Sequence, residues 1–245
     1  MRFALSVRDA TPPTSGFLDD RLVPEYGLLV DPSLGHSFLY WSRRPVPANN
    51  FGPYLDRQKF DDTNIFFLVA DAERSVAALD RLGSRFVVTA ARPSASPLPY
   101  GQRLHRGDGY RAGDSVCGPC LRLVTEGPAN GSTTLPMRLL HIPYKLFERV
   151  SGARLEIPAT PGTRVKMELE LETPLDRRFV FEVSTEADED GWARLRVPYA
   201  TDVSAPVHAT GQYRVHIGDA THPLDVSDEA VRSGRRIRFE VPGIE

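Results

Sequence analysis

Near residue 150 the spacing of apolar positions changes. Beyond it they recur at every second residue: Val165, Met167, Leu169 and Leu171 alternate with Lys166, Glu168, Glu170 and Glu172, and Phe179, Phe181 and Val183 alternate with Val180, Glu182 and Ser184. A period of two places each set on one side of an extended chain, so both stretches predict strands with one buried face. Asp190-Gly191 turns the chain into Ala193, Leu195 and Val197, and the pattern returns at Tyr213, Val215 and Ile217 and at Ile237, Phe239 and Val241. One short helix is expected among these strands, with Ser227 as N-cap, Asp228 and Glu229 in its first turn and Gly234 after its end. Residues 150–245 therefore read as an all-β, sandwich-like module.

The first 115 residues read as a mixed α/β layer, which makes the whole chain an α+β protein. Tyr26 to Val30 is a short apolar run between turn residues, the mark of a buried strand. Ser33 is the predicted cap of a helix through Leu34 to Trp41, which puts residues 31–36 at the mouth of a strand-to-helix connection. Asp71 caps the clearest helix: Val76, Leu79 and Leu82 share a face and Gly83 can close it. Arg85 to Ala90 reads as a second buried strand. Residues 92–115, rich in Pro, Gly, Ser and Arg without a period, read as a long loop. Leu121–Val124 and Met137–Ile142 flank the turn signal Glu126 to Gly131, so a hairpin within a connecting segment 116–149 is the expectation.

Composition narrows the classes. Thirty Lys and Arg against 32 Asp and Glu give a formal charge of −2, so no overall field recruits nucleic acid or an anionic membrane. The longest apolar run, Ile65 to Ala70, is far shorter than the roughly 20 residues of a membrane span. No signal peptide is visible after Met1.

Motifs of common chemistries are mostly missing: there is no P-loop, no GxSxG and no GxGxxG after a strand. The six histidines form neither HxH nor HExxH, which leaves a zinc site without support. Cys117-Gly118-Pro119-Cys120 has the form of a redox motif, yet strand-like Leu121 to Val124 follows it where a helix is needed. A structural or incidental pair is the expectation there, with an oxidoreductase as the competing reading. Asp19-Asp20 and Asp61-Asp62 fall in polar, loop-like stretches and are expected to be solvated. Asn130-Gly131-Ser132 fits the N-glycosylation pattern, a triplet that arises often by chance. Residues 43–52 concentrate cations, amides and the aromatic Phe51. Arg44, Asn49 and Asn50 offer planar groups suited to a peptide backbone or a sugar, while a rigid polar-capped loop accounts for the same residues.

The order of these segments is familiar. Tyr26-Gly27-Leu28-Leu29, Gly35-His36, Arg44-Pro45-Val46, Ala48-Asn49-Asn50-Phe51-Gly52, Phe66-Phe67-Leu68 and the helix and strand after them resemble the soluble domain of oligosaccharyltransferase catalytic subunits of the bacterial PglB and archaeal AglB type. Phe147-Glu148-Arg149-Val150, Gly152-Ala153, Pro161 to Val165, Asp190-Gly191 and Val197 to Thr201 resemble the family's β module, and Arg2 to Pro13 resembles the helix that follows its last membrane span. The resemblance implies a membrane enzyme that transfers a lipid-linked oligosaccharide to the Asn of an Asn-x-Ser/Thr acceptor protein, with this chain as its periplasmic or extracytoplasmic part. Catalytic carboxylates and a divalent ion, Mg or Mn, belong to the family's membrane half. The chain alone is then catalytically incomplete, with no cofactor, catalytic residue or metal ligand of its own.

The same resemblance places the acceptor-binding Trp-Trp-Asp-Tyr-Gly motif on Asp31, Pro32, Ser33, Leu34 and Gly35. Only the glycine is kept. Asp31 is expected to supply the carboxylate from a neighbouring position. Asp31, Ser33, Gly35, His36, Arg44, Asn49 and Asn50 are the candidate acceptor-binding residues. A non-catalytic extracytoplasmic module that binds carbohydrate or protein is the alternative reading.

Overall fold

The structure is a computed structural model that describes residues 2–17, 19, 21–92, 97–109, 120–127 and 142–240. The chain divides into two compact units, Met1–Gly109 with Leu123–Arg149, and Tyr110–Arg122 with Val150–Glu245.

In the first unit, helix α1 (Arg2–Ala10) precedes strand β1 (Gly27–Leu29), a 3-10 turn (Pro32–Leu34) and α2 (Gly35–Ser42). Helices α3 (Arg57–Leu68) and α4 (Ala72–Arg81) lead to β2 (Ser84–Ala90), followed by α5 (Tyr100–Arg106), β3 (Cys120–Gly127) and β4 (Tyr144–Val150). The sheet order is β1-β2-β4-β3, with β1 parallel to β2 and β4 antiparallel to it. Alternation splits the strands between two apolar layers. Leu28, Phe86, Val88 and Leu146 join Phe3, Val7 and Phe38 of α1 and α2 in one core cluster. Leu29, Val87 and Thr89 face the other way, and Thr89 Oγ1 meets His105 Nδ1 of α5 at 2.8 Å.

Several sequence expectations are met. Asp71 caps α4 by accepting from Arg74 N, and Gly83 follows that helix at φ 57°. Others are corrected. Ser33 caps nothing: Asp31 caps the 3-10 turn by accepting from Ser33 N, because Pro32 has no N–H and the free amide is the next one along. Asp61 and Asp62 lie on α3 and not in a loop. Asp62 is buried, and its carboxylate accepts from Arg81 Nε at 3.2 Å and from the guanidinium end at 2.5 Å, which raises the pKa of Arg81. Helix α5 stands inside the stretch read as loop, its buried face made of Gly101, Gln102, Leu104 and His105. Strand β3 lies beside β4, which begins past the expected hairpin partner; of that partner, residues 137–141 fall outside the described residues. Cys117 to Pro119 and Asn130 to Ser132 also fall outside them.

In the second unit, β5 (Ala153–Pro158), β6 (Arg164–Glu172), β7 (Arg178–Glu186) and β8 (Trp192–Val197) precede β9 (His208–Ala209), β10 (Tyr213–Ile217), β11 (Ala220–Leu224), α6 (Asp228–Ser233) and β12 (Arg236–Arg238). One sheet has the order β11-β10-β6-β7, with β9 also on β6, and the other β12-β5-β8. Register follows the alternation: Met167 faces Val183 and Val215, and Leu169 faces Phe181. Val165, Met167, Leu169 and Leu171 are buried, as are Leu155, Ile157, Ala193 and Val197 of the second sheet. Each sheet thus buries one face, the arrangement of a sandwich. Ser227 caps α6 by accepting from Ala230 N, and Gly234 ends it at φ 70°.

Candidate functional site

Strands β1 and β2 run parallel, so their C-terminal ends emerge side by side, the usual place for a binding crevice in an α/β layer. Asp31 follows β1 and Arg92 follows β2, and they meet: the Arg92 guanidinium donates to Asp31 Oδ2. Asp31 Oδ1 accepts from Ser33 N at 3.0 Å and from its hydroxyl at 2.5 Å. The Asp31 side chain keeps only 14% of its surface exposed. Both of its oxygens are therefore committed within the chain.

Gly35 joins this turn to the next segment. A Cβ at this position would stand 2.6 Å from Ala48 O, 2.7 Å from Asn49 Cα and 2.8 Å from Asn49 Cβ. These contacts are mainly with backbone, so a side chain would force the loop away. The start of α2 and residues 48–50 consequently form one continuous surface. On it, His36 Nδ1 contacts Asn50 Oδ1, and the His36 ring meets Phe51 edge-on with centroids 4.9 Å apart. Asn49 closes its own turn by accepting from Phe51 N at 3.0 Å. Ser33, His36, Asn50 and Phe51 are exposed.

Arg44 is a correction. It is 6% exposed, and all five of its N–H groups are engaged. Nε donates to Thr11 Oγ1, one terminal nitrogen to the carbonyls of Ser42 and Arg43, and the other to those of Arg8 and Thr11. Arg43, left-handed at φ 54° just after α2, turns the chain so that Arg44 points inward. Arg44 ties the end of α1 to the end of α2 and has no donor left for a ligand.

Arg92 is the residue that sequence reasoning missed. It stands 61 positions from Asp31, and only the parallel pairing of β1 with β2 brings them together. Among the described residues no three His, Cys, Asp or Glu side chains converge as metal ligands. Nor is any helix among them long and apolar enough to cross a membrane.

These features define a two-unit α+β domain with a polar, aromatic-edged surface at the carboxyl ends of its parallel strands. Comparison with known proteins places that fold. Residues 152–237 match the family described as the archaeal glycosylation protein B long peripheral domain. The oligosaccharyltransferase of Archaeoglobus fulgidus in complex with Zn and sulfate shares the fold at a TM-score of 0.72 and 13% identity, over 98% of this chain and 46% of that one. AglB of the same organism, in complex with an inhibitory peptide and a dolichol-phosphate, matches at 0.71 and 14% identity over 97% and 42%. The enzyme tethered to an acceptor peptide containing the NVT sequon matches at 0.71 and 14% identity over 98% and 43%. The chain thus spans less than half the length of these enzymes. No curated protein matches by sequence. The family model covers part of the β module, and the structural likeness extends the shared fold along nearly the whole chain.

Proposed function

We propose that this chain is the extracytoplasmic, acceptor-side part of a membrane glycosyltransferase that transfers a lipid-linked oligosaccharide to asparagine of acceptor proteins. The observation that carries the reading is the fold shared along 97–98% of the chain with an oligosaccharyltransferase captured with acceptor and inhibitory peptides. Residues 1–115 supply the acceptor-side surface, the connecting stretch 116–149 adds β3 and β4 to the same sheet, and 150–245 make the β module. Asp31, Ser33, Gly35, His36, Asn49 and Asn50 make the surface that faces the acceptor, with Arg92 added and Arg44 removed. The lipid-linked donor, the catalytic carboxylates and a divalent ion, Mg or Mn, belong to a membrane portion beyond this chain, which alone does not catalyse transfer.

The test is the size and fractionation of the native polypeptide, detected in its source cells with an antibody raised against residues 1–245. A membrane-bound species well above 27.2 kDa is expected. A free species of 27.2 kDa would replace the reading with a stand-alone binding module. Peptide cross-linking on the native species then addresses the surface itself: an Asn-x-Thr peptide should label the segments around 31–36 and 48–51, and Asp31→Asn should change its affinity.

A further inference from the structure

The outer face of the β12-β5-β8 sheet carries a charge pattern that fold stability does not explain. Register places Arg236 opposite Arg154, and Arg154 opposite Arg196, so three arginines stand in one row across three strands. Strand spacing is about 4.8 Å, and like charges directly opposite one another are destabilising. The next row holds Arg238, Glu156 and Arg194. Glu156 Oε1 lies 3.4 Å from Arg236 Nε and 4.0 Å from Arg194 Nε, and its Oε2 lies 3.6 Å from Arg238. Arg194 also pairs with Asp188. Two carboxylates thus serve five guanidinium groups, and Arg154 and Arg196 have no carboxylate partner among the described residues. Trp192 borders the rows, with Arg238 Cζ 4.7 Å from its ring centroid.

We propose that this face docks an extended, acidic polypeptide segment of a partner protein. Residues two apart on a strand are about 6.7 Å apart, which is the spacing of alternate side chains in an extended peptide. Alternate Asp or Glu residues of a segment lying along β12 would meet Arg236 and Arg238, and a segment along β8 would meet Arg194 and Arg196. Guanidinium groups bind carboxylates through two parallel hydrogen bonds. A narrow occupant fits better than a broad one. The chain as a whole carries −2, and the turn with Asp188, Glu189 and Asp190 closes the Trp192 end of β8, so a wide anionic sheet such as a bilayer meets repulsion there.

The test titrates the full chain with a fluorescent peptide of six Glu residues alternating with Ser, followed by anisotropy, beside the same peptide with Gln for Glu and beside phosphatidylglycerol vesicles. Saturable binding of the Glu peptide is expected, weakened at least tenfold by Gln replacement and by the Arg154→Gln/Arg196→Gln pair. Arg196→Lys should lose less than threefold. The melting temperature of the Gln pair should equal or exceed that of the parent, because repulsion across the row is relieved; if the pair fails to fold, Arg236→Gln alone is read in the same assay. Equal binding of the Gln peptide, or unchanged affinity in the folded variants, overturns the proposal. Preference for the vesicles over the Glu peptide overturns it in favour of a membrane surface.

Discussion

The two units solve the same problem by opposite means. In the β module polar groups stay outside: Lys166 bridges Glu168 at 2.5 Å and Glu182 at 2.9 Å, Arg214 reaches Glu168 at 3.3 Å, and Arg178 reaches Glu172 at 2.8 Å. Strict alternation then leaves the interior to apolar side chains. In the α/β unit polar groups go inside. Arg44 fastens two helix ends, Asp62 holds Arg81, and Lys145 donates to His105 O at 2.8 Å and to Asp108 at 2.6 Å. A regular sheet positions itself through its ladder, whereas irregular connections need buried donors to fix them. The candidate surface belongs to the second type, so its geometry depends on residues that never reach it.

That contrast is open to direct tests. Leu155→Ala, deep in the β module, should cost about 3 kcal/mol in chemical unfolding, within the range of buried Leu truncations. Arg44→Met should cost a comparable ~3 kcal/mol, because it leaves the Thr11, Arg8 and Ser42 carbonyls buried without their charged donor. Its hydrogen exchange should rise around residues 8–11 and 42–45 while the β module stays protected; uniform exchange across the chain would contradict the hub role. Gly35→Ala should cost about 2 kcal/mol and spread protease sensitivity to residues 48–52. Glu168→Gln, on the outside of the β module, should cost below about 1 kcal/mol.

Acid should separate carboxylate networks such as that of Glu168 from the Arg44 hub. Glu168 is held near a pKa of about 2 by hydrogen bonding from Lys166, with Arg214 and His216 adding to it against the burial that opposes ionisation. A carboxylate depressed in the folded state stabilises above its unfolded value of 4.5, and that contribution fades as pH falls toward 2. Glu25 behaves alike through the hydroxyls of Thr14 and Ser15. Arg44, whose partners are carbonyls and a hydroxyl, should contribute equally at pH 3 and pH 7. Thermal melts of the Arg44→Met and Glu168→Gln proteins at both values check this: only the penalty of Glu168→Gln should shrink in acid.

How legible each unit was follows from the same difference. The strands β6, β7, β8 and β10 stood out because alternation is local, and the Asp71 and Ser227 caps because their signal lies within four residues. Helix α3 did not, since its buried positions are Asp62, Thr63, Phe66 and Phe67, half of them polar. Helix α5 hid because its buried face includes Gly101, Gln102 and His105, the last two satisfied by Ala90 and Thr89 outside the helix. Arg44 looked like a recognition residue for the reason that misleads most: a guanidinium in a polar loop gives no hint whether its partners are a ligand or the chain's own oxygens, here two neighbouring carbonyls and three distant oxygens of Arg8 and Thr11. The Asp31 and Arg92 pair had no sequence signal at all, since it exists only through the pairing of two strands.

Gly35 offers a last lesson, about tolerance to mutation. The space a side chain would need there is filled by the backbone of Ala48 and Asn49. In a saturation library scored only for folded protein, position 35 should admit glycine nearly alone, while exposed Ser33 accepts broad replacement. A glycine on a candidate binding surface can thus be demanded by chain packing, whatever that surface binds.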